Sequence, residues 1–437
     1  MRILVNSGDH KCSNMGDLAM LKIAVRRLDR LFPGATIRVL TSNPEVLEDE
    51  VTTAKALSST VLQRWFSDRC LFGSLHNALP KGASRALRFG NRKLRRNAPR
   101  IMEALVKAKI KLLKLDDTDI LDFLANMRQV DLVVLCGQGT LADVFIKDSY
   151  ALLDFVEMAV RNGRRTVMFG QGIGPLTDPG LQERAKAVLP TAEMIALREG
   201  KKGPALLSRM GVDPDVVVTT GDDAIELAYE ARPERLGNAI GVNIRIATHS
   251  AIGSELASRL RHVFAKFADL HDTELLSIPI SRYPNLKDAC DIEQMLSGIE
   301  RFGDDGKGLD TPVKVIRQVG RCRVLMTAAY HAAVFALSQG VPVVGMASSQ
   351  YCRDKFLGLK HHFGPGIEIV DLNGPAAETD VFEAAARLWK TADEIRPNLL
   401  RNAQQQIEAG RAAYSRVANA ALFKKPLPKR DAKLLFG

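Results

Sequence analysis

The sequence predicts an α/β protein made of two wound domains that face each other across a cleft. Short apolar runs alternate with longer helical patterns, which is typical of a parallel sheet covered by helices on both faces. The alternation is interrupted once, by a polar stretch with Pro and Gly at residues 231–238, and then starts again. The chain has 437 residues, enough for about two to three domains, so we expect the domain boundary near Pro233.

Each half of the chain contains its own strands and helices. In the first half we predict strands at residues 3–5, 36–40, 132–135, 166–169, 194–197 and 216–219, and helices at 17–31, 145–161, 181–189 and 202–210. In the second half we predict strands at 240–243, 274–278, 313–316, 324–326, 341–344 and 368–370, and helices at 254–267, 289–299, 331–339 and 379–389. A last helix is expected from about Pro397, a residue suited to a first helical position, to about Val417. We therefore divide the chain into a first domain at 1–232, a second domain at 238–392, and a terminal helix with a basic tail at 393–437.

Composition excludes several classes of protein. With 46% hydrophobic and 25% charged residues, the chain is neither disordered nor fibrous. No apolar run approaches the ~18 residues that cross a bilayer, and the first residues predict a core strand rather than a signal peptide. The six cysteines stand at no CxxC spacing, which favours reduced thiols in a cytoplasmic protein over disulfides or a structural zinc site.

The positive charge is concentrated in one segment. Between Lys81 and Lys114 there are twelve basic residues and one acid, an excess equal to the net charge of +11 of the whole chain. From residue 101 to 115 apolar residues recur at helical spacing beside lysines, so this basic segment, about 81–115, could lie on an anionic membrane or bind polyanions. A solvated face beside a packed helix is the alternative. The segment contains one aromatic residue, Phe89, which argues against stacking on nucleic acid. The test that the sequence suggests is charge reversal of four neighbouring cations: Arg92, Lys93, Arg95 and Arg96.

Polar side chains and glycines cluster where the predicted strands end. Because ligands of wound α/β domains lie beyond the carboxyl ends of the strands, a binding site is expected in these loops. They are residues 6–17, 136–143, 169–176 and 197–199 in the first half, and 327–331 and 348–355 in the second. The stretch 170–174 has GxGxG rather than GxGxxG spacing, and Pro175 would end a helix there, so we exclude a dinucleotide site.

Several side chains in these loops have both a functional and a structural interpretation. Arg198 could direct its guanidinium at a carboxylate or phosphate, or pair with Glu199 or Glu193. His331, at a helix N-terminus, is suited to exchange a proton but could equally be structural. Asp17 could be a helix N-cap. Metal chemistry has little support, because residues 361–362 (His-His) have no partner at ligand spacing and residues 222–223 (Asp-Asp) could be caps.

In their order and their positions at strand ends, these motifs resemble those of the polysaccharide pyruvyl transferases. The resemblance runs from Asn6 to about Leu359. It includes Asn-Met-Gly-Asp at 14–17, Gly-Gln-Gly at 137–139, Gly-Gln-Gly-Ile-Gly-Pro-Leu at 170–176, Arg-Glu at 198–199 and Thr-Gly-Asp-Asp-Ala at 220–224. The most specific stretch is Tyr-His-Ala-Ala-Val-Phe-Ala-Leu at 330–337, followed by Gly-Val-Pro at 340–342 and Asp-Lys-Phe at 354–356.

The resemblance implies both a fold and an activity. Members of the family have two Rossmann-like domains, like B-type glycosyltransferases, and transfer pyruvate from phosphoenolpyruvate to a sugar, forming a ketal on two hydroxyls and releasing phosphate. This chain is therefore expected to be a transferase that needs no metal or organic cofactor, with the acceptor side in the first domain and the donor side in the second. Its acceptor would be a cell-surface polysaccharide, such as an exopolysaccharide, or its lipid-linked precursor. The basic segment would then hold a cytoplasmic enzyme at the inner membrane face.

The site residues follow from the same motifs. We expect His331 to be the acid and a phosphate contact, Arg198 to bind the carboxylate or phosphate, and Asp17 or Asp143 to be the base. The other residues expected to contact substrate are Gly137, Gly139, Gln171, Gly174, Tyr330, Arg245, Arg353 and Lys355.

One residue departs from the family pattern. The family often has arginine two residues before the histidine, whereas this chain has Ala329. If the donor is the same, another cation must replace the missing charge, and the candidates are Arg245, Arg317, Arg353 and Lys355. Two other functions stay open: a glycosyltransferase of the same architecture that uses a nucleotide-sugar, and a non-catalytic relative that binds a polyanion or a membrane.

Overall fold

The predicted α/β architecture is confirmed by a computed structural model, which describes residues 1–66, 71, 79–113, 118–244, 253–283 and 286–422. Each half of the chain forms a parallel sheet with helices on both faces, so the molecule consists of two Rossmann-like domains. Within these ranges no helix is both long enough and apolar enough to cross a membrane.

The first sheet has seven parallel strands in the order β3-β2-β1-β4-β5-β6-β7. They are β1 (Arg2–Ser7), β2 (Thr36–Thr41), β3 (Ala54–Ser58), β4 (Leu132–Cys136), β5 (Arg165–Gln171), β6 (Met194–Leu197) and β7 (Val217–Thr219). Every residue of β4 and β6 is buried, as expected for strands covered on both faces. The strand order reverses between β1 and β4, so the loops after these two strands leave a crevice at the carboxyl edge of the sheet.

The helices of the first half lie between these strands. They are α1 (Met15–Leu31), α2 (Pro44–Glu50), α3 (Thr60–Trp65), α4 (Lys81–Asn97), α5 (Pro99–Leu113), α6 (Thr118–Gln129), α7 (Ile146–Arg161), α8 (Pro179–Val188), α9 (Gly203–Arg209) and α10 (Ala224–Glu230). The first of them starts at the crevice. Its N-cap is Asn14, whose side chain accepts hydrogen bonds from the amides of Gly16 and Asp17.

The second sheet has six parallel strands in the order β12-β9-β8-β13-β14-β15. They are β8 (Ala239–Asn243), β9 (Leu275–Ser277), β12 (Phe302–Asp304), β13 (Cys322–Thr327), β14 (Val343–Ala347) and β15 (Ile367–Asp371); a separate hairpin is formed by β10 (Arg282–Tyr283) and β11 (Leu286–Lys287). Its helices are α11 (Ser254–Leu270), α12 (Asp288–Leu296), α13 (Pro312–Val319), α14 (Tyr330–Ser338), α15 (Gln350–Phe363) and α16 (Ala377–Leu422). The strand order again reverses, here between β8 and β13, so each sheet presents a crevice to the cleft.

Helices α1 and α16 join the two halves. Helix α16 packs on β13, β14 and β15 and, further along, on α1 and α10. Helix α1 also contacts α13 and α14, and the Met15 amide donates a 2.9 Å hydrogen bond to the Ile280 carbonyl. Side chains of both halves therefore belong to one apolar cluster, with Val334 of α14 and Leu399 of α16 among its fully buried members.

Two predicted features of the fold are wrong, and some strands and helices were not predicted. Residues 313–316 form a helix and not a strand, because the Thr311 hydroxyl accepts from the Lys314 amide and Pro312 fixes the first turn. The strand at 54–58 was not predicted. No helix starts at Pro397, since α16 runs through that residue, and packing on both sides, for example at Leu388 and Leu399, outweighs the lost hydrogen bond. The domain limit predicted at 392/393 therefore falls inside a continuous helix.

Candidate active site

Loops from the carboxyl ends of both sheets meet in a cleft of about 650 Å³. The first half supplies the loops after β4, β5 and β6 together with faces of α8 and α9, and the second half supplies the start of α14 and the first turns of α15. The charged side chains that line the cleft are Lys186, Arg198, Glu199, Lys201, Lys202, Arg209, Asp354 and Lys355. Six of these eight are cations, so the cleft is suited to an anionic ligand.

Arg198 lies at the centre of the described part of this cleft. It directly follows β6, and its side chain is only 5% exposed. The guanidinium passes between Gly139 and Gly172, where a Cβ on either glycine would lie 2.6 Å from its nitrogen atoms. The ring of Tyr330, from the other domain, lies 4.3 Å from the guanidinium carbon. These contacts hold a buried cation in one position, and they explain why two glycines are needed here.

His331 projects from α14 into the first domain. Its ring packs against Gly16 at the start of α1, where a Cβ would come within 1.9 Å of the imidazole Cγ. The ring is 8% exposed, and its Nε2 has no hydrogen-bond partner among the described residues. The nearest acid is Asp222, whose Oδ2 lies 3.7 Å from Nε2. A residue of the second domain thus completes the crevice of the first.

Asp222 has a different task for each carboxylate oxygen. Oδ1 accepts a 2.9 Å hydrogen bond from the Ala224 amide at the start of α10. Oδ2 lies 3.7 Å from His331 Nε2 and 3.8 Å from Arg198 Nη1, with no hydrogen-bond partner of its own in the described structure. Burial alone would raise the pKa of Asp222, but His331, Arg198 and the Ala224 amide hold it below its usual range. Asp222 therefore faces both cations as a carboxylate.

Asp17 is the carboxyl group whose pKa suits proton transfer. Asn14 caps α1, so the predicted alternative that Asp17 is the N-cap is wrong. Desolvation raises the pKa of Asp17 to about 6, with Asp9 and Asp222 adding to the rise and His331 and Arg198 opposing it. A carboxyl group with this pKa can gain or lose a proton near neutral pH.

The second domain closes the cleft with α15. The Tyr351 hydroxyl donates a 3.1 Å hydrogen bond to the Gly139 carbonyl, and burial raises the pKa of Tyr351 to about 12, so it keeps its proton. The Lys355 ammonium lies 4.1 Å from the centre of the Tyr351 ring. Lys202 and Asp354 form a 2.6 Å ion pair from opposite sides of the cleft. The hydrogen bond of Tyr351 and the ion pair of Lys202 tie the two domains together across the cleft.

The predicted base Asp143 and ligand Gln171 are corrected by their surroundings. Partial desolvation raises the pKa of Asp143, but hydrogen bonds from the Thr177 hydroxyl and amide and from the Asp178 amide keep it below its usual range. A carboxylate whose pKa is lowered in this way is a poor base. Its hydrogen bonds instead stabilise the turn before α8. Gln171 is fully buried, and its amide donates to the Phe169 carbonyl at 2.8 Å, so it supports the sheet and does not reach the cleft.

Some of the other predicted ligands line the cleft and some do not. Gly139, Gly174, Tyr330 and Lys355 line the cleft. Gly137, with φ of 58°, turns the chain after β4 and packs on Met20, and Arg353 on α15 does not line the cleft. Arg245 lies outside the described residues. Of the described cations proposed to replace the charge missing at Ala329, only Lys355 lines the cleft.

Sequence reasoning missed Asp222 as a site residue. The loop at 220–223 directly follows β7, so the rule that selected the other strand-end loops selects it as well. Its interpretation as a cap is half right, because Oδ1 does cap α10. Tyr351 lies in the loop predicted at 348–355 but was not named as a site residue, and the outer cations Lys186 and Arg209 were missed because their helices carry no motif that points to a cleft. In the described part of the chain, no three His, Cys, Asp or Glu side chains are placed to hold a metal ion.

Comparison with known proteins gives a family and a fold. The model of the family "Polysaccharide pyruvyl transferase" matches residues 14–350, which include Asp17, Arg198, Asp222 and His331. A comparison with curated proteins found no match.

Solved structures resemble the whole chain. A putative UDP-N-acetylglucosamine 2-epimerase from Listeria monocytogenes has a TM-score of 0.59 at 13% identity, covering 97% of each chain. UDP-GlcNAc 2-epimerase from Neisseria meningitidis, bound to UDP-GlcNAc, has a TM-score of 0.55 at 11% identity, covering 97% of this chain and all of its own. The Anabaena protein HepE in complex with UDP has a TM-score of 0.55 at 12% identity with the same coverage. At these identities the likeness shows the fold alone, the two-domain fold of B-type glycosyltransferases and related epimerases.

Proposed function

The chain belongs to the polysaccharide pyruvyl transferase family, and on that premise we propose that it moves pyruvate from phosphoenolpyruvate onto two hydroxyls of a saccharide in the cleft around Arg198. The observation that carries the proposal is the meeting of Arg198 and Tyr330, from opposite domains, in a cleft with six cations, while the buried Asp222 faces both Arg198 and His331. Phosphoenolpyruvate has a carboxylate and a phosphate, so it needs cations at its binding site.

The reaction requires one acid and one base. A sugar hydroxyl attacks C2 of the donor and gives up its proton, while C3 takes a proton and becomes a methyl group. A second hydroxyl then displaces phosphate from C2, and its proton leaves with the phosphate. Two C–O bonds form, the C–O bond to phosphate breaks, and the two hydroxyl protons are balanced by one on the methyl group and one on the phosphate.

The residues fit these steps with one role each. We assign binding of the donor anion to Arg198 and proton donation at C3 to His331, whose Nε2 is without a partner in the described structure. The carboxylate of Asp222, 3.7 Å from Nε2, lies where it can orient the imidazole. Asp17 receives the proton of the attacking hydroxyl, and Lys355 supplies the charge that Ala329 lacks.

Ligand-dependent melting tests the donor. At ~100 times the dissociation constant a ligand adds about 2.7 kcal/mol to the free energy of unfolding, so phosphoenolpyruvate should raise the melting temperature by a few degrees. The control variant Lys390→Ala, on the exposed face of α16, should show the same shift, and Arg198→Ala should show none. A shift with UDP-sugars and none with phosphoenolpyruvate would reject this donor.

The pKa of Asp17 predicts how the rate of pyruvyl transfer depends on pH. As a base it must be ionised, so with a pKa of about 6 the value of kcat/KM should fall about tenfold per unit below pH 6. Asp17→Asn should lower the rate about 100-fold and remove this acid limb. Because the raised pKa reflects a destabilised charge, the variant should also melt at a higher temperature than the wild type at pH 8.

A matched variant tests whether removing a carboxylate elsewhere has the same effect on the rate and on its pH dependence as Asp17→Asn. Asp122→Asn removes an exposed carboxylate from α6 and should keep both the rate and the pH profile. If Asp17→Asn retained an acid limb at the same pH, the base would have to be another group.

A nucleotide-sugar glycosyltransferase is the second candidate, favoured by the fold it shares with proteins that bind UDP or UDP-GlcNAc. It predicts melting shifts with UDP-sugars, as above.

We further propose that the acceptor is a lipid-linked saccharide and that the enzyme works in the cytoplasm, in peripheral contact with the inner membrane face. The concentration of the entire net charge in residues 81–114 supports this placement.

A further inference from the structure

Exposed apolar side chains are concentrated in the two basic helices. Of the ten large apolar side chains that are exposed in the described structure, five belong to α4 and α5. They are Phe89, Ile101, Leu105, Leu112 and Leu113, with exposed fractions of 64%, 56%, 44%, 82% and 56%. A monomeric protein rarely leaves such a group uncovered without a partner.

Helix α5 has apolar residues on two faces. Met102 and Val106 are buried, and Ile110 packs beside them against the core of the first domain. Ile101, Leu105 and Leu112 recur at helical spacing on the other face and are exposed. Only one of the two apolar faces of α5 therefore packs on the core of the first domain, and packing does not explain why the second face is apolar.

Cations border the exposed face. On α5 Lys109 lies one turn after Leu105 and one turn before Leu112, the exposed Lys111 lies on the other flank of the stripe, and Glu103, the one acid of the helix, pairs with Lys107 at 2.8 Å. On α4 the exposed Phe89 has Arg85 one turn before it and Lys93 one turn after it. An apolar stripe with basic borders is the pattern of a helix that lies at the interface of an anionic bilayer.

The hairpin of α4 and α5 is fixed to the domain by two of its own arginines. Arg95 is buried and lies 3.2 Å from Asp154 of α7, and Arg96 lies 2.7 Å from the same carboxylate. Charge reversal at these two positions, which the sequence suggested as a test, would release the hairpin from α7. Such a result would say nothing about membranes, so a test must use the exposed residues instead.

We propose that the exposed face of α4 and α5, which we call the hairpin face, docks on an anionic lipid surface. Its apolar side chains enter the headgroup region, and its lysines and arginines contact lipid phosphates. Charge complementarity selects this partner: a second copy of the same face would bring like charges together, and nucleic acid would leave the apolar stripe in water. The proposal rests on the peripheral membrane contact proposed above and names the surface that makes it, a surface outside the cleft whose docking does not depend on the transferred group.

The mouth of the cleft lies at the same helix that anchors the hairpin. Val144 and Phe145, just before α7, and Ile146, its first residue, are exposed by 58%, 38% and 37%, and the rings of Phe145 and Tyr351 meet edge to face. Tyr150, one turn further along α7, lies within electrostatic range of Arg92 of α4. Docking of the hairpin face thus brings the cleft entrance close to the lipid surface.

Vesicle sedimentation tests the proposal with the full-length protein. The wild type should bind vesicles of equal phosphatidylglycerol and phosphatidylcholine at least tenfold more tightly than vesicles of phosphatidylcholine alone, and 0.5 M salt should weaken the binding. The variant Ile101→Gln/Leu105→Gln/Leu112→Gln should lose tenfold or more of this affinity. Lys93→Gln/Lys111→Gln should lose a similar factor, since each basic residue contributes about fivefold.

Glutamine keeps the helix propensity, and the changed side chains are exposed, so all variants should melt with the wild type. Leu270→Gln/Lys390→Gln removes one exposed apolar and one basic side chain elsewhere and should bind vesicles normally. The proposal is overturned if the wild type ignores anionic vesicles or if the triple variant binds them unchanged. It is also overturned if light scattering shows a dimer that the triple variant dissolves, because a second copy would then cover the face.

Discussion

Replacing Arg198 with alanine should lower pyruvyl transfer about 1000-fold and abolish the melting shift with phosphoenolpyruvate. Loss of a single preorganised group that binds developing negative charge costs about 10² to 10³ in rate, and this guanidinium is buried, where such a contact is worth more than in water. Arg198→Lys keeps the charge but loses the planar fork that fits between Gly139 and Gly172. It should recover no more than about one tenth of the lost rate.

Arg317→Ala is the matched control for this experiment. Arg317 is an exposed arginine at the end of α13, and its loss should change the rate by less than about twofold. Rates should be measured with saturating acceptor, and circular dichroism should confirm the fold of each variant. If Arg198→Ala kept the affinity for phosphoenolpyruvate, the donor pocket would have to lie elsewhere.

The wound architecture was accessible from the sequence because buried parallel strands produce continuous apolar runs. Strands β4, β5 and β6 were predicted within two residues of their limits for this reason. The edge strand β3 was missed, since its sequence Ala-Lys-Ala-Leu-Ser contains no β-branched or aromatic residue. The false strand at 313–316 came from an alternating Val-Lys-Val-Ile pattern, and the caps at Thr311 and Pro312 contained the correct information.

The position of the site was also predictable from the sequence, but the contacts and the pKa of each side chain were not. Strand-end loops identified Arg198 and His331, whereas only the fold reveals that His331 reaches across the cleft to Gly16. The sequence also could not show which carboxylate is free to act as a base. Asp17 and Asp143 were equal candidates in the sequence, and the hydrogen bonds of Thr177 and Asp178 make one of them structural. Contacts between distant residues decide such differences, and a local pattern does not contain them.

Asp222→Asn should lower transfer about 100-fold while leaving the fold intact. The amide oxygen can still accept from the Ala224 amide, so α10 keeps its cap, but the charge that faces His331 Nε2 and Arg198 is lost. Without that charge His331 loses the carboxylate nearest to its Nε2, so its position for proton donation is less well fixed. The double variant with His331→Gln should be hardly slower than His331→Gln alone, since Asp222 acts through that histidine.

The neighbouring carboxylate provides the control. Asp223 accepts from Arg27 at 2.5 Å and from the Tyr414 hydroxyl at 2.8 Å, so it joins α1 and α16 and does not face the cleft. Asp223→Asn should cost about 1–3 kcal/mol in stability, because it removes one of the two buried carboxylates that Arg27 contacts and leaves only Glu226, but it should keep the rate of transfer. Two adjacent aspartates should therefore separate activity from stability. If Asp222→Asn instead lowered stability as much as Asp223→Asn and slowed the His331→Gln variant further, Asp222 would be a structural residue and not a positioning residue for His331.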